Sequence, residues 1–109
     1  MKRTFIETKV FNKRWNELGL TDDDLSELEE FIMDNPNAGN VIQGTGGAIK
    51  LRFALPNKGK SSGIRVIYAD IPSKAHIHLL ICYPKSKQDN LTSEQKQQLK
   101  SLIKKLKGE

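Results

Sequence analysis

The chain has 109 residues, of which 37% are hydrophobic and 28% charged, which is the size and composition of one folded domain spanning residues 1–109. No apolar run approaches the ~18 residues that a membrane-spanning helix needs. The alternating residues after Met1 are unlike a signal peptide, so we expect a cytoplasmic protein. A single cysteine, Cys82, excludes a disulfide framework and a multi-cysteine zinc site.

Charge is distributed unevenly along the chain. The formal net charge is +5, with −4 on residues 1–49, +6 on residues 50–89 and +3 on residues 90–109. A basic centre of this kind indicates either a polyanionic partner or chance clustering on a mixed surface. Charge alone does not separate the two interpretations.

The first half of the chain predicts one strand and two helices. Residues 4–11 alternate imperfectly, as in a short strand, and residues 13–18 predict a helical turn or short helix around an inward-facing Trp15. Thr21 is a suitable N-cap for a longer helix that ends before Pro36. The three aspartates after Thr21 fit a first turn stabilised by the helix dipole better than a metal site.

The second half predicts three consecutive strands and a final helix. Residues 49–55 alternate cleanly, residues 64–71 are rich in β-branched side chains, and residues 75–83 are apolar enough for a central strand buried on both faces. Thr92 and Gln95 form a capping-box pattern ahead of an apolar stripe. The element order predicts an α+β domain with a largely antiparallel sheet.

Spacing argues against three familiar kinds of site. Residues 59–61 (Gly-Lys-Ser) resemble the end of a P-loop, but Ala54 stands where that motif requires glycine, and a strand follows. His76 and His78 share one face of a strand without the further ligands that a metal would need. No Ser-His-Asp or Cys-His arrangement is legible, and Cys82 lies in an apolar strand as a core residue.

A set of basic side chains remains that a sheet would bring together: Lys50, Arg52, Lys58, Lys60, Arg65 and Lys85. If the first two strands of the second half pair as a hairpin, Arg52 and Arg65 lie within reach of each other. Repulsion within such a cluster costs stability, which favours an anionic ligand. Phosphate suits both the bidentate arginine and the point charge of lysine. Tyr83, at the rim, would stack on an unpaired base.

The same residues resemble the RelE/ParE toxin superfamily. The resemblance rests on Asn35-Pro36, Gly44-Thr45-Gly46-Gly47 and Gly63-x-Arg65-x-x-Tyr68. Tyr83-Pro84-Lys85 and Leu91-Thr92 complete the pattern in the manner of its HigB branch. It covers residues 5–106. It implies the toxin of a type II toxin–antitoxin pair, with a small curved antiparallel sheet, helices on one face and a basic groove on the other.

The resemblance also implies an activity. RelE-like and HigB-like toxins enter the ribosomal A site and cut mRNA by attack of a ribose 2′-OH on the adjacent phosphate, without a metal or a small-molecule cofactor. The expected partners are therefore an antitoxin protein, the ribosome and mRNA. We expect no membrane partner.

Roles follow for the individual residues. Crowding by cations lowers the pKa of a lysine, so Lys58 or Lys60 is the expected general base. Arg65 is the expected phosphate stabiliser, with Arg52 or Lys85 assisting, and Tyr83 orients the substrate base. The residues expected to bind RNA are Lys50, Arg52 and Lys87.

Two other functions stay open. The same fold supports a ParE-like inhibitor of DNA gyrase without nuclease activity, and a basic RNA-binding module without catalysis. Clustered phosphate ligands favour the nuclease over the gyrase inhibitor. Catalysis and simple binding are separated by Arg65→Ala, which abolishes cleavage but weakens binding only modestly if the group is catalytic.

Overall fold

The computed structural model describes residues 2–54, 63–88 and 90–109. In chain order its elements are β1 (Thr4–Glu7), α1 (Lys9–Glu17), α2 (Asp22–Asp34), β2 (Asn40–Val41), β3 (Ile49–Phe53), β4 (Ile64–Ile71), a 3-10 turn (Pro72–Lys74), β5 (His76–Pro84) and α3 (Ser93–Leu106). The five strands form one sheet in the order β1-β5-β4-β3-β2. Only the β1–β5 pair is parallel within this described part of the chain, which confirms the α+β class and the largely antiparallel sheet.

The first strand is shorter than the predicted 4–11. Thr8 ends it because its extended backbone (φ −73°, ψ 160°) places the side-chain oxygen where it accepts a hydrogen bond from the Phe11 amide, which starts α1. The Thr8 hydroxyl also donates to the carbonyl of Leu80 at 2.7 Å, tying this corner to β5. The residues after Thr8 are therefore helical, and α1 is longer than the predicted segment 13–18. Trp15 is buried as predicted.

The two longer helices begin where the sequence predicts. Thr21 and Thr92 each close a capping box, with Asp24 and Gln95 as the reciprocal partners. α2 ends at Asp34, immediately before the Asn-Pro pair. These helix boundaries are determined locally, since they depend on side chains within one turn of the helix end.

The glycine-rich segment holds a strand that composition did not reveal. β2 is only two residues long and pairs with the start of β3, Asn40 opposite Lys50 and Val41 opposite Ile49. Such a short edge strand carries no periodicity of its own. β4 has the predicted bounds, and β5 runs one residue later than predicted at each end, between β1 and β4. The position of residue 55, predicted as the end of β3, lies outside the described residues.

Both faces of the sheet are covered by helices. Val66 and Tyr68 of β4 pack in a first core with α1 and α2, whereas Ile67 and Ala69 pack in a second core with Ile103 of α3. Alternate residues of a strand point to opposite faces, so α3 lies across the sheet from α1 and α2. The expectation that all helices share one face is wrong, because the apolar stripe of α3 is buried on the other face.

A β-bulge in β5 changes which face of the sheet its residues point to. Ile67 pairs with Ile81 and Tyr68 with Leu79, so Leu80 is an extra residue on β5. Leu79 and Cys82 therefore both reach the first core although they are three positions apart. The described helices include none long and apolar enough to span a bilayer.

Candidate nucleic-acid interface

Three predicted site residues lie in one row across the sheet. Arg52 of β3 is the direct partner of Arg65 of β4, and Arg65 is the direct partner of Tyr83 of β5. The hairpin pairing predicted for β3 and β4 is thus confirmed. Directly paired residues of neighbouring strands project from the same face, here the face that α3 partly covers. We call Arg52, Arg65 and Tyr83 the cross-strand row.

The two arginines of the row differ in exposure. Arg52 is open to solvent, whereas Arg65 is only 2% exposed and is held among its neighbours. A buried guanidinium has few accessible rotamers, so its position is fixed before any ligand arrives. Arg52 retains its freedom to reach a ligand. The row therefore combines one fixed cation and one adaptable cation on adjacent strands.

Tyr83 is not at the rim, contrary to the expectation. Its side chain is 2% exposed and packs in the second core with Leu91 and Ile103. In this arrangement the ring belongs to the second core and has no face open for stacking on a base. The sequence did not indicate this because the periodicity of β5 and of α3, taken separately, does not specify how the helix packs on the strand.

Lys50 lies one row further along the same face. It is the partner of Ile67, two residues from the Arg52–Arg65 pair, and its Nζ donates to Oδ1 of Asn90 at 3.3 Å. Gln88 continues this side-chain network, since its Nε2 donates to the Asn90 carbonyl at 2.9 Å and to Oε1 of Gln95 at 2.6 Å. The chain leading into α3 thus borders the basic surface. No pattern in the sequence singled out these polar residues.

Two predicted site residues, Lys85 and Lys87, lie in the segment that follows β5. Lys85 is exposed in the turn that follows β5. Lys87 is also exposed, but it lines a cavity of about 180 Å³ together with Arg14, Glu17 and Cys82, on the side of α1. The structure therefore places Lys87 beside α1. Its expected contact with RNA stays a prediction.

Lys58 and Lys60, the expected general bases, lie outside the described residues. The described chain resumes at Gly63, whose φ of +62° belongs to the left-handed region that favours glycine. A Cβ there would also meet the Phe53 carbonyl oxygen at 3.2 Å. Gly63 therefore lets the chain pass close to β3 just before Arg65, which is a physical reason for the Gly63-x-Arg65 spacing.

The histidines and the cysteine do not join this site. His76 and His78 lie with ring centroids 5.6 Å apart, and burial, followed by the charges of His76 and Lys74, lowers the pKa of His78. No group of three metal-ligating side chains occurs in the described part of the chain. Cys82 is buried, and its thiol lies 3.8 Å from the carbonyl oxygen of Phe11.

Comparison with known proteins gives the family. The model of the RelE toxin of the RelE/RelB toxin–antitoxin system matches residues 2–108. The chain belongs to the RelE toxin family. It is therefore a toxin of a toxin–antitoxin system, and its place in the HigB branch stays a prediction.

Solved structures of RelE share the fold. An arginine-to-alanine double mutant of E. coli toxin RelE in the free state has a TM-score of 0.58 and 18% identity, over 82% of this chain and 90% of that chain. The intact E. coli RelBE toxin–antitoxin complex gives a TM-score of 0.54 and 18% identity, over 73% of this chain and 93% of that chain. At this identity the likeness extends to the fold alone.

Proposed function

We propose that this RelE-family toxin is a ribosome-dependent mRNA endonuclease, which cuts the phosphodiester by attack of the neighbouring ribose 2′-OH and so stops translation. The proposal rests on the cross-strand row and on membership of the RelE family. Its partners are the translating ribosome with its mRNA and a cognate antitoxin, as the E. coli RelBE complex suggests.

The observation that carries the proposal is the direct pairing of Arg52 with Arg65. Like charges at paired positions of a sheet repel and destabilise the pair. A phosphate bound above the pair offsets this repulsion and accepts bidentate hydrogen bonds from the exposed Arg52, while direct contact with Arg65, which is 2% exposed, requires the side chains over it to move. An anionic ligand at this face therefore offsets the repulsion between the two arginines.

The two arginines suit different stages of the reaction. Fixed charges that face the developing phosphorane oxygens lower the barrier most, because they need no reorganisation when the reaction occurs. Arg65 has this fixed character, whereas the exposed Arg52 suits capture of the mRNA backbone. Lys58 or Lys60 remains the proposed general base, and Lys85 a proposed assistant to Arg65.

The test is a cell-free translation reaction in which the 5′ ends of the mRNA are mapped after addition of the toxin. Because Arg65 is buried, Arg65→Lys is preferred to Arg65→Ala; it keeps the charge and the stem but loses the bidentate geometry. Arg52→Ala removes the exposed cation. Lys13→Ala is the matched control, since it removes an exposed cation from α1, across the sheet from the row.

The expected result is cleavage within codons that requires translating ribosomes, falls on the order of a hundredfold in Arg65→Lys and Arg52→Ala, and is unchanged in Lys13→Ala. Growth arrest in cells with intact mRNA in the reaction would reject the nuclease and favour the gyrase inhibitor. Binding of RNA without any cleavage would favour the non-catalytic module.

A further inference from the structure

A second surface lies on the other side of the sheet from the cross-strand row. A groove of about 400 Å³ runs between the last two turns of α2 and the end of β3, lined by Glu27, Glu30, Phe31, Asp34, Asn35, Phe53 and Ala54. Its floor is apolar and its rim is acidic. Arg52 and Phe53 are consecutive on β3, so the groove and the row occupy opposite faces at the same end of the sheet.

The floor of the groove contains an exposed aromatic ring. Phe31 is 36% exposed and contacts Phe53, with ring centroids 5.9 Å apart and planes inclined at 58°. Phe53 is buried, so it anchors the ring of Phe31 to the first core while the outer edge of Phe31 remains in water. An accessible, positionally fixed aromatic ring can receive an apolar side chain or a cation.

The rim of the groove carries uncompensated negative charge. Glu27, Glu30 and Asp34 follow one face of α2 at spacings of three and four, and none of them forms an ion pair within the described residues. The last turn of α2 contains no basic residue. A carboxylate at a helix C-terminus is unfavourable, because the unpaired carbonyls there already carry partial negative charge. The groove therefore favours a positively charged occupant.

We propose that this groove, defined by Phe31 with the rim of Glu27, Glu30 and Asp34, binds a lysine- or arginine-rich segment of a separate polypeptide that inserts one bulky apolar side chain against Phe31. The acidic rim repels RNA, so the groove is not an extension of the nucleic-acid interface. The proposal does not depend on the nuclease activity proposed above.

The C-terminal helix of a second copy does not supply the occupant. Its most lysine-rich segment is α3, but the apolar stripe of α3 faces the second core, with Ile103 only 1% exposed. That helix could present lysines to the groove but no apolar side chain unless it left its own sheet. The proposal commits to a different protein on the complementarity of charge, and association of two copies of this chain is an outcome that the experiment distinguishes.

The test measures binding of the full chain to a labelled synthetic peptide of nine residues, rich in lysine with one central tryptophan, by fluorescence anisotropy. Two reference peptides replace tryptophan by alanine or every lysine by glutamate. The protein variants are Glu30→Gln/Asp34→Asn, Phe31→Ala and the matched control Asp22→Asn/Asp23→Asn, which removes the same charge from the exposed first turn of α2. Circular dichroism checks that each variant is folded.

We expect saturable binding that weakens about tenfold in Glu30→Gln/Asp34→Asn, since two exposed ion pairs are lost, and less than about twofold in the control. Phe31→Ala should remove the preference for the tryptophan peptide over the alanine peptide. Cleavage in the translation reaction should be unchanged in all three variants, which distinguishes this proposal from the nuclease.

Three outcomes overturn the proposal. Equal weakening in the two double variants means general attraction to acidic residues, without a groove. If the glutamate peptide binds as tightly as the lysine peptide, or if neither binds, the acidic rim does not select a basic segment. A concentration-dependent dimer in light scattering that disappears in Glu30→Gln/Asp34→Asn assigns the groove to a second copy of the chain.

Discussion

Arg52 and Arg65 are direct backbone partners on β3 and β4, so their side chains project side by side from the same face of the sheet. Cross-strand neighbours of like charge weaken a sheet, whereas opposite charges strengthen it. This pair is therefore a place where stability and ligand binding impose opposite demands.

Arg52→Ala should raise the denaturant concentration at which the protein is half unfolded, because it removes the repulsion from Arg65. The same variant should cut mRNA more slowly than wild type, by on the order of a hundredfold. Urea denaturation followed by circular dichroism measures the first effect and the translation reaction measures the second. A lower midpoint would show that the pair is not repulsive in the folded protein, and Lys13→Ala should change neither quantity.

Replacement of Tyr83 should show how much its ring and its hydroxyl each contribute to stability. Tyr83→Ala removes a ring that is 2% exposed and should cost about 3–5 kcal/mol of unfolding free energy through the cavity that it leaves. Tyr83→Phe keeps the ring and removes only the hydroxyl, so most of that stability should return. Denaturant curves of the two variants measure the difference. If Tyr83→Ala folds as stably as wild type, the ring does not support the second core.

The thiol of Cys82 should be inert in the folded protein. Burial raises the pKa of the Cys82 thiol to about 12, and the thiolate is the reactive form. Ellman's reagent at neutral pH should therefore react with the unfolded chain but only negligibly with the native one. The same sample in denaturant is the control. Rapid reaction of the native protein would mean that the corner between α1 and β5 opens readily.

His78 should make stability depend on pH. Its pKa is lowered in the folded protein, mainly by burial, so the unfolded chain binds the proton more tightly. This contribution to stability is fully present above the unfolded value of about 6.5 and is lost as pH falls from there toward the folded pKa.

The measurement compares urea midpoints at about pH 7.5 and about pH 5.5, on either side of the unfolded value. His78→Gln should lose less stability between the two conditions than wild type, because the carboxylates are the same in both proteins. His76→Gln keeps the titrating group but removes one of the charges that lower its pKa, so its loss of stability should lie between those of wild type and His78→Gln. An equal loss in wild type and His78→Gln would contradict a lowered pKa at His78.

Local signals predicted the elements, and tertiary contacts decided the rest. The caps at Thr21 and Thr92, and the alternation of residues 64–71, depend on neighbours within a few positions and were predicted correctly. The start of α1 was predicted wrongly because Lys9 to Phe11 also fit a strand. Only the hydrogen bonds of Thr8, one of which reaches Leu80, decide between the two.

For the candidate site, the sequence predicted that Arg52 and Arg65 pair but not that Tyr83 is buried. Alternation on β3 and β4 predicts that Arg52 and Arg65 lie close together. It contains no information on where α3 packs, and that contact is what buries Tyr83 and borders the surface with Asn90. A helix packs on the face of the sheet that has a matching apolar surface. That surface is formed by several strands together, so no single segment of the sequence predicts it.

The parallel pairing of β1 with β5 has a consequence for the synthesis of the toxin. Residues 4–7 leave the ribosome early, but their partners are residues 76–79. The first strand therefore has no sheet to join until β5 has been translated, and the row that pairs Arg65 with Tyr83 needs the same strand. A nascent chain that stops before β5 carries both arginines but no assembled site. The cross-strand row is thus assembled late in synthesis, only after the strand that completes the sheet has emerged.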